Sequence, residues 1–127
     1  MIAKNIQSNS NILDSLEQFI EARQEGFKRE CQHLELKIKG MAVEFNQQFP
    51  QVISLSITGS YLHPEFFSPA SDVDFVISGL LAERYFDAFL FIESRLGREI
   101  HLIREEEIPA NLRERFQKER RVLYEKA

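Results

Sequence analysis

A change of period constrains this chain more than any other feature. From residue 52 onward, three short segments alternate apolar and polar residues: VISLSITGS (52–60), DVDFVIS (72–78) and EIHLI (99–103). Successive side chains on a strand project to opposite faces, so each segment has an apolar side and a polar side. Ile53, Leu55 and Ile57 share one face, with Ser54, Ser56 and Thr58 opposite. Val73, Phe75 and Ile77 oppose Asp72, Asp74 and Val76, while Ile100 and Leu102 oppose Glu99, His101 and Ile103. A slip of one residue would expose every apolar side chain, so all three apolar faces must turn toward the same layer. The other face then collects Thr58, Asp72, Asp74, Glu99 and His101.

Helical spacing fills the rest of the chain. Residues 1–10 are polar and are expected to fray. A helix is expected from Asn11 or Asp14, either of which can cap it, and Asp14 with Glu17 has capping-box spacing. Leu13, Leu16 and Ile20 recur at helical intervals, Gly26 marks a possible bend, and Cys31, Leu34, Ile38, Met41 and Phe45 resume the seam until Pro50. Such a seam packs either on its own domain or on another chain, and a homo-oligomer through this helix is one outcome. Residues 81–96 form a second amphipathic pattern with Phe86, Phe89, Leu90 and Leu96 as burial candidates and Gly97 as the stop. Pro109 opens a last helix to about Glu125, with Leu112, Phe116 and Leu123 on one side. The order predicts an α/β (α+β) fold: a small mixed three- or four-stranded sheet backed by helices, with an extra N-terminal helical segment. With no repeat or linker, residues 1–127 are expected to be one domain, a helical extension over 1–49 and a core over 50–127.

Composition removes several classes of function. At 43% hydrophobic residues with 11 Phe, the 127-residue chain can build a core. A net charge of −4 argues against general nucleic-acid binding, which needs a basic surface. The single cysteine, Cys31, excludes an intramolecular disulfide and suits a reducing cytoplasm. No apolar run has the length of a signal peptide core or a membrane span, so no membrane role and a cytoplasmic location are expected.

The chemistry gathers between residues 59 and 74. Two carboxylates at i and i+2 on a strand project in parallel, which suits a hard cation such as Mg²⁺. Gly59 lets the backbone approach a ligand, and the amide and hydroxyl of Ser60 can donate to a phosphate. A lone Asp-x-Asp is usually a solvated strand edge, and a lone Gly-Ser is commoner still. In this order, each at a strand end, they point to a phosphate-and-metal site for phosphoryl or nucleotidyl transfer. Elsewhere, His33 reads as surface, His63 lies in the loop over the site, and Glu105-Glu106-Glu107 reads as a solvated turn before a helix. Arg113, Arg115, Lys118, Arg120 and Arg121 make the last helix basic, interleaved with Glu114 and Glu119. Phe66-Phe67 is either a buried lid or an exposed contact.

Gly59-Ser60 followed by Ser71-Asp72-Val73-Asp74-Phe75 resembles the signature of the DNA polymerase β-like nucleotidyltransferase superfamily. LGREIHLI (96–103) is similar to the segment that carries a third carboxylate in small bacterial members, and FQKERRVLYEKA (116–127) to their closing helix. The resemblance covers about residues 50–127, and the nearest branch is the minimal nucleotidyltransferase (MNT), often encoded beside a HEPN-domain protein as an antitoxin. It implies that Gly59 and Ser60 hold the triphosphate of a nucleoside triphosphate, ATP first among them. It implies that Asp72 and Asp74 bind Mg²⁺ or Mn²⁺. AMP would pass to a hydroxyl, a tyrosine of the partner HEPN toxin, an RNase that the modification silences.

The chain departs from the family pattern at two places. His101 stands where a third aspartate is expected; imidazole favours softer ions than Mg²⁺ but can act as a base. Glu99 could substitute, displaced by about 6–7 Å along the strand. His63-Pro64 replaces an Arg-Gly-like pair, and proline removes an amide donor. Two other functions stay open: an antitoxin or interaction protein that has lost catalysis and acts by binding alone, and a small-molecule transferase akin to aminoglycoside-modifying enzymes.

Overall fold

The computed structural model describes residues 2–127, with side chains from residue 11 onward. Contacts divide the chain into two compact units, one ending at Glu35 and the other Leu36–Ala127. Helix α1, Ile2–Gln48, contributes to both. It starts before the predicted caps at Asn11 and Asp14 and replaces the frayed start, because residues 2–10 contain no Pro or Gly to stop it. Gly26 does not interrupt it. Among the described residues no helix is long and apolar enough to cross a membrane.

The second unit holds a four-stranded sheet in the order β3-β2-β1-β4. The strands are β1 Ser54–Thr58, β2 Val73–Ser78, β3 Ile100–Arg104 and β4 Arg120–Glu125. β1 pairs antiparallel with β2 and with β4, while β2 and β3 run parallel. Parallel neighbours need a crossover, and α2, Tyr85–Leu96, supplies it. Gly97 ends α2 in the left-handed region, φ 61°, and donates its N–H to the Glu93 carbonyl at 2.8 Å. A third helix, α3, spans Ala110–Lys118.

The apolar strand faces pack as the alternation predicts except at Ile53, which precedes β1 and is exposed. Leu55, Ile57, Val73, Phe75 and Ile77 are fully buried, together with Ile38 and Phe45 from α1 and Ile92 from α2. Phe45 stacks on Phe49 with centroids 4.5 Å apart, and Phe91 meets both edge-on at 5.8 and 5.9 Å. Burying each such ring is worth roughly 2–3 kcal/mol.

Three expectations need correction. The buried row of α2 is Ala88, Ile92 and Leu96; Phe86 and Leu90 are exposed. Ala88 lets the helix approach closely along its i, i+4, i+8 row, which turns Phe86 and Leu90 outward. The far face of β1 is not open: Ser54, Ser56 and Thr58 are buried, because β1 is an interior strand with neighbours on both sides, and Thr58 shares a cleft with Leu112 and Phe116 of α3. The predicted final helix stops at Lys118, and RRVLYE becomes β4 along the edge of β1. Pairing there satisfies backbone groups that β1 would otherwise leave open, and Val122 and Tyr124 suit a strand.

Candidate functional site

The sheet register builds the site. Thr58 of β1 is opposite Asp74 of β2, and Asp74 is opposite His101 of β3. On the other side, Thr58 is opposite Arg120 of β4. Directly opposed residues share a face, so His101, Asp74, Thr58 and Arg120 form one row across the sheet. Asp72 lies one residue before β2, on the same side as Asp74.

Gly59 follows β1 and opens a 3-10 turn, Gly59–Leu62, with φ +77°. A Cβ at Gly59 would stand 2.3 Å from Asp74 Oδ2. Glycine is therefore needed twice, for the backbone angle and to leave room for the Asp74 carboxylate. Ser60 lies in this turn, half-buried. Thr58 is committed to the fold: its hydroxyl donates to the Glu119 carbonyl at 3.0 Å.

The two acids converge on one imidazole. His101 Nδ1 is 3.0 Å from Asp74 Oδ1, and His101 Nε2 is 3.1 Å from Asp72 Oδ2. A neutral imidazole has one N–H and one lone pair. Two nitrogens facing two carboxylates therefore call for an imidazolium, or for a proton on one of the acids. Burial pushes the Asp74 carboxyl above the usual carboxylate range, helped by the Asp72 charge and opposed by the charge and hydrogen bond of His101. His101 thus takes the place where a cation would neutralise the pair.

Among the described residues no group of three or more His, Cys, Asp or Glu is arranged to hold a metal ion. The donor chemistry nevertheless fits one. Two carboxylates face the two nitrogens of one exposed ring, and with that ring turned outward their oxygens would be free to hold a hard cation. The carboxyl of Glu99 is exposed and takes no part in this set; its backbone carbonyl accepts from the Val73 N–H at 3.4 Å.

Sequence reasoning passed over Arg98. Its guanidinium donates to the carbonyls of Ser68 at 2.9 Å, Pro69 at 3.1 Å and Ser71 at 2.8 Å, and lies 4.9 Å from the Phe67 ring centroid. This clamp fixes the loop that delivers Asp72. Only a loop carbonyl cluster identifies such an arginine, and carbonyl positions leave no mark in a sequence. Phe67 is buried beneath the loop while Phe66 is exposed, so the two phenylalanines divide the expected roles.

His63 lies with Leu62, Arg115, Lys118, Glu119 and Arg120 around a cleft of about 480 Å³ at the exit of the Gly59 turn. The cations here have acidic neighbours: Arg115 with Glu119 at 3.5 Å, Lys118 with Glu114 at 3.0 Å and Arg120 with Glu105 at 3.2 Å. The Glu105–Glu107 turn is more than solvated. Glu106 accepts from the Gly79 N–H at 2.7 Å and the Ser78 hydroxyl at 3.3 Å, and Glu107 pairs with Arg104 at 2.6 Å. His33 is exposed, as expected.

No family model matches the chain, and no curated protein does. Solved structures do match. A crystal structure named as a nucleotidyltransferase of Sulfolobus solfataricus superposes with a TM-score of 0.50 at 16% identity, over 76% of this chain and 85% of that one. The fold is the nucleotidyltransferase fold. A toxin–antitoxin crystal structure with AMP-PNP has the same fold, with a TM-score of 0.58 at 14% identity over 68% of this chain and 73% of that one. So does a complex of tri-AMPylated Shewanella oneidensis HEPN toxin with MNT antitoxin, with a TM-score of 0.55 at 14% identity over 72% of each chain. One of these structures, the HEPN toxin complex, contains an MNT antitoxin, the branch that the motif in residues 59–75 resembles; what the three structures share with this chain is the fold.

Proposed function

We propose that the protein is a metal-dependent nucleotidyltransferase that moves AMP from ATP to a hydroxyl, a tyrosine of a HEPN-type toxin, and so acts as an antitoxin. The observation that carries this reading is the convergence of Asp72 and Asp74 on one imidazole, with Asp74 against the Gly59–Ser60 turn. The AMP-PNP complex and the AMPylated toxin complex among its structural neighbours support the nucleotide and the acceptor. Residues 50–127 are then the transferase core and residues 1–49 an extension, in a cytoplasmic protein whose single Cys31 suits a reducing compartment.

Asp72 and Asp74 would hold Mg²⁺ or Mn²⁺, which would supply positive charge to the phosphate oxygens. Gly59 and Ser60 present backbone and hydroxyl donors to the triphosphate. His101, released from its bridge, accepts the proton of the acceptor hydroxyl as that oxygen attacks the α-phosphorus. The bond from the α-phosphorus to the bridging oxygen breaks, and pyrophosphate leaves.

A second reading rests on the same ring. With His101 already bridging both acids, part of their charge is offset without metal, which favours an antitoxin that acts by binding alone. One experiment separates the two. The protein is incubated with labelled ATP, Mg²⁺ or Mn²⁺, and a HEPN-type protein encoded beside it. Label on the toxin, lost in Asp74→Asn, supports transfer. Toxin neutralisation that survives combined Asp72→Asn and Asp74→Asn, with no label at any metal, selects binding.

A further inference from the structure

The first unit carries an apolar stripe that its own chain leaves open. Ile12, Leu13, Leu16, Phe19 and Ile20 are each 51–59% exposed. Their spacing of i, i+1, i+4, i+7 and i+8 puts all five on one face of α1. Phe27 and Cys31 continue that face and are half-buried. A helix in water draws most of its stability from packing its amphipathic face, so an uncovered stripe of this size calls for a cover.

The charges along the helix select the cover. Residues 11–21 carry Asp14, Glu17 and Glu21 and no Lys or Arg. Residues 22–29 carry Arg23, Lys28 and Arg29 against Glu25. Glu17 and Lys28 are 11 residues apart, three helical turns, so they flank the stripe on the same side. A parallel in-register pair of such helices puts the two copies of Glu17 on opposite flanks of the seam, where neither meets a Lys28. An antiparallel pair centred between Ala22 and Arg23 sets Glu17 across from Lys28 of the second copy, and Lys28 across from its Glu17. The same register places Phe19 across from Gly26, which has no side chain in the way, and Leu16 beside Phe27. The segment is complementary to itself in one direction only.

We propose that residues 12–31 of α1 pair antiparallel with the same residues of a second copy of this chain. The pairing is isologous, so it closes as a dimer and repeats each contact twice. It stands apart from the proposed transfer reaction, since no residue of the Asp72, Asp74 and His101 set takes part.

Sedimentation equilibrium of the full chain at micromolar concentration tests it. The expected mass is twice 14.9 kDa. A monomer, including one that gains mass only with a different protein, overturns the proposal. The variant Leu16→Glu with Ile20→Glu is expected to be monomeric while retaining the wild-type near-ultraviolet signal of its buried aromatics; a dimer that persists overturns it. Glu17→Lys and Lys28→Glu are each expected to weaken the dimer at least tenfold, and the double variant to restore it. Singles as tight as wild type, or a double no tighter than the singles, overturn the antiparallel register.

Discussion

Two carboxylates mark the two ends of β2, and their environments are opposite. Glu106 sits at the exit, where it accepts from the Gly79 N–H and the Ser78 hydroxyl. Burial would raise its carboxyl, yet those donors and the nearby Arg104 outweigh burial and hold it below the usual range. Asp74 sits at the entrance, where burial and Asp72 hold it above the usual range despite His101. A carboxylate that serves the fold is met by fixed backbone donors. A carboxylate that serves a site is left short of charge compensation, bridged by a ring that can turn away.

The comparison breaks most sharply on activity. Asp74→Asn is expected to lower transfer by about 10³-fold or more, since it removes several kcal/mol of metal-mediated charge stabilisation. Glu106→Gln is expected to leave the rate per folded molecule unchanged. Equal losses in labelled-ATP assays would erase the distinction between the two ends.

The support around the entrance comes next in size. Gly59→Ala is expected to cost about 1–3 kcal/mol in urea unfolding, from the positive φ and the contact with Asp74 Oδ2. Arg98→Ala is expected to cost about 1–3 kcal/mol by freeing the carbonyls of residues 68–71. It should also weaken metal binding, because Asp72 loses its fixed approach. A variant with wild-type stability and wild-type metal affinity would remove Arg98 from the account.

The pH dependence sharpens the contrast in sign. Glu106 is depressed in the folded state, so its contribution is present above its unfolded value of 4.5 and is lost as pH falls through the lower folded value. Glu106→Gln should flatten that acid limb. Asp74 is raised, so its contribution is present below 3.8 and is lost as pH rises through the higher folded value. In the absence of metal, Asp74→Asn should therefore be slightly more stable at neutral pH, by about 1–3 °C in Tm. A fall in Tm of that size would show that the His101 bridge outweighs burial.

The parts legible in the sequence are those fixed by neighbours in the chain. Alternation placed β1, β2 and β3 within two residues, and it set Asp72 and Asp74 on one side because the strand period of two leaves no choice. Gly97 announced the end of α2 because a left-handed cap needs glycine. What escaped depends on partners far along the chain. Helical spacing of Leu112, Phe116 and Leu123 hid β4, whose state is decided by pairing with β1, more than sixty residues earlier. The burial of Ser56 and Thr58 follows from the interior position of β1, which no local pattern carries. The His101 bridge needs the parallel register of Asp74 with His101, set by the α2 crossover. Gly59 in sequence marks only a place for phosphate, and the space it leaves for Asp74 depends on the β1–β2 pairing.

Calorimetric titration of Mn²⁺ into the protein with a non-hydrolysable ATP analogue tests the central claim most directly. The account predicts saturable binding that is lost when Asp72→Asn and Asp74→Asn are combined, and tighter binding in His101→Ala, where no ring lies between the acids. Binding that ignores the double substitution, or no binding in the wild-type chain, would contradict it.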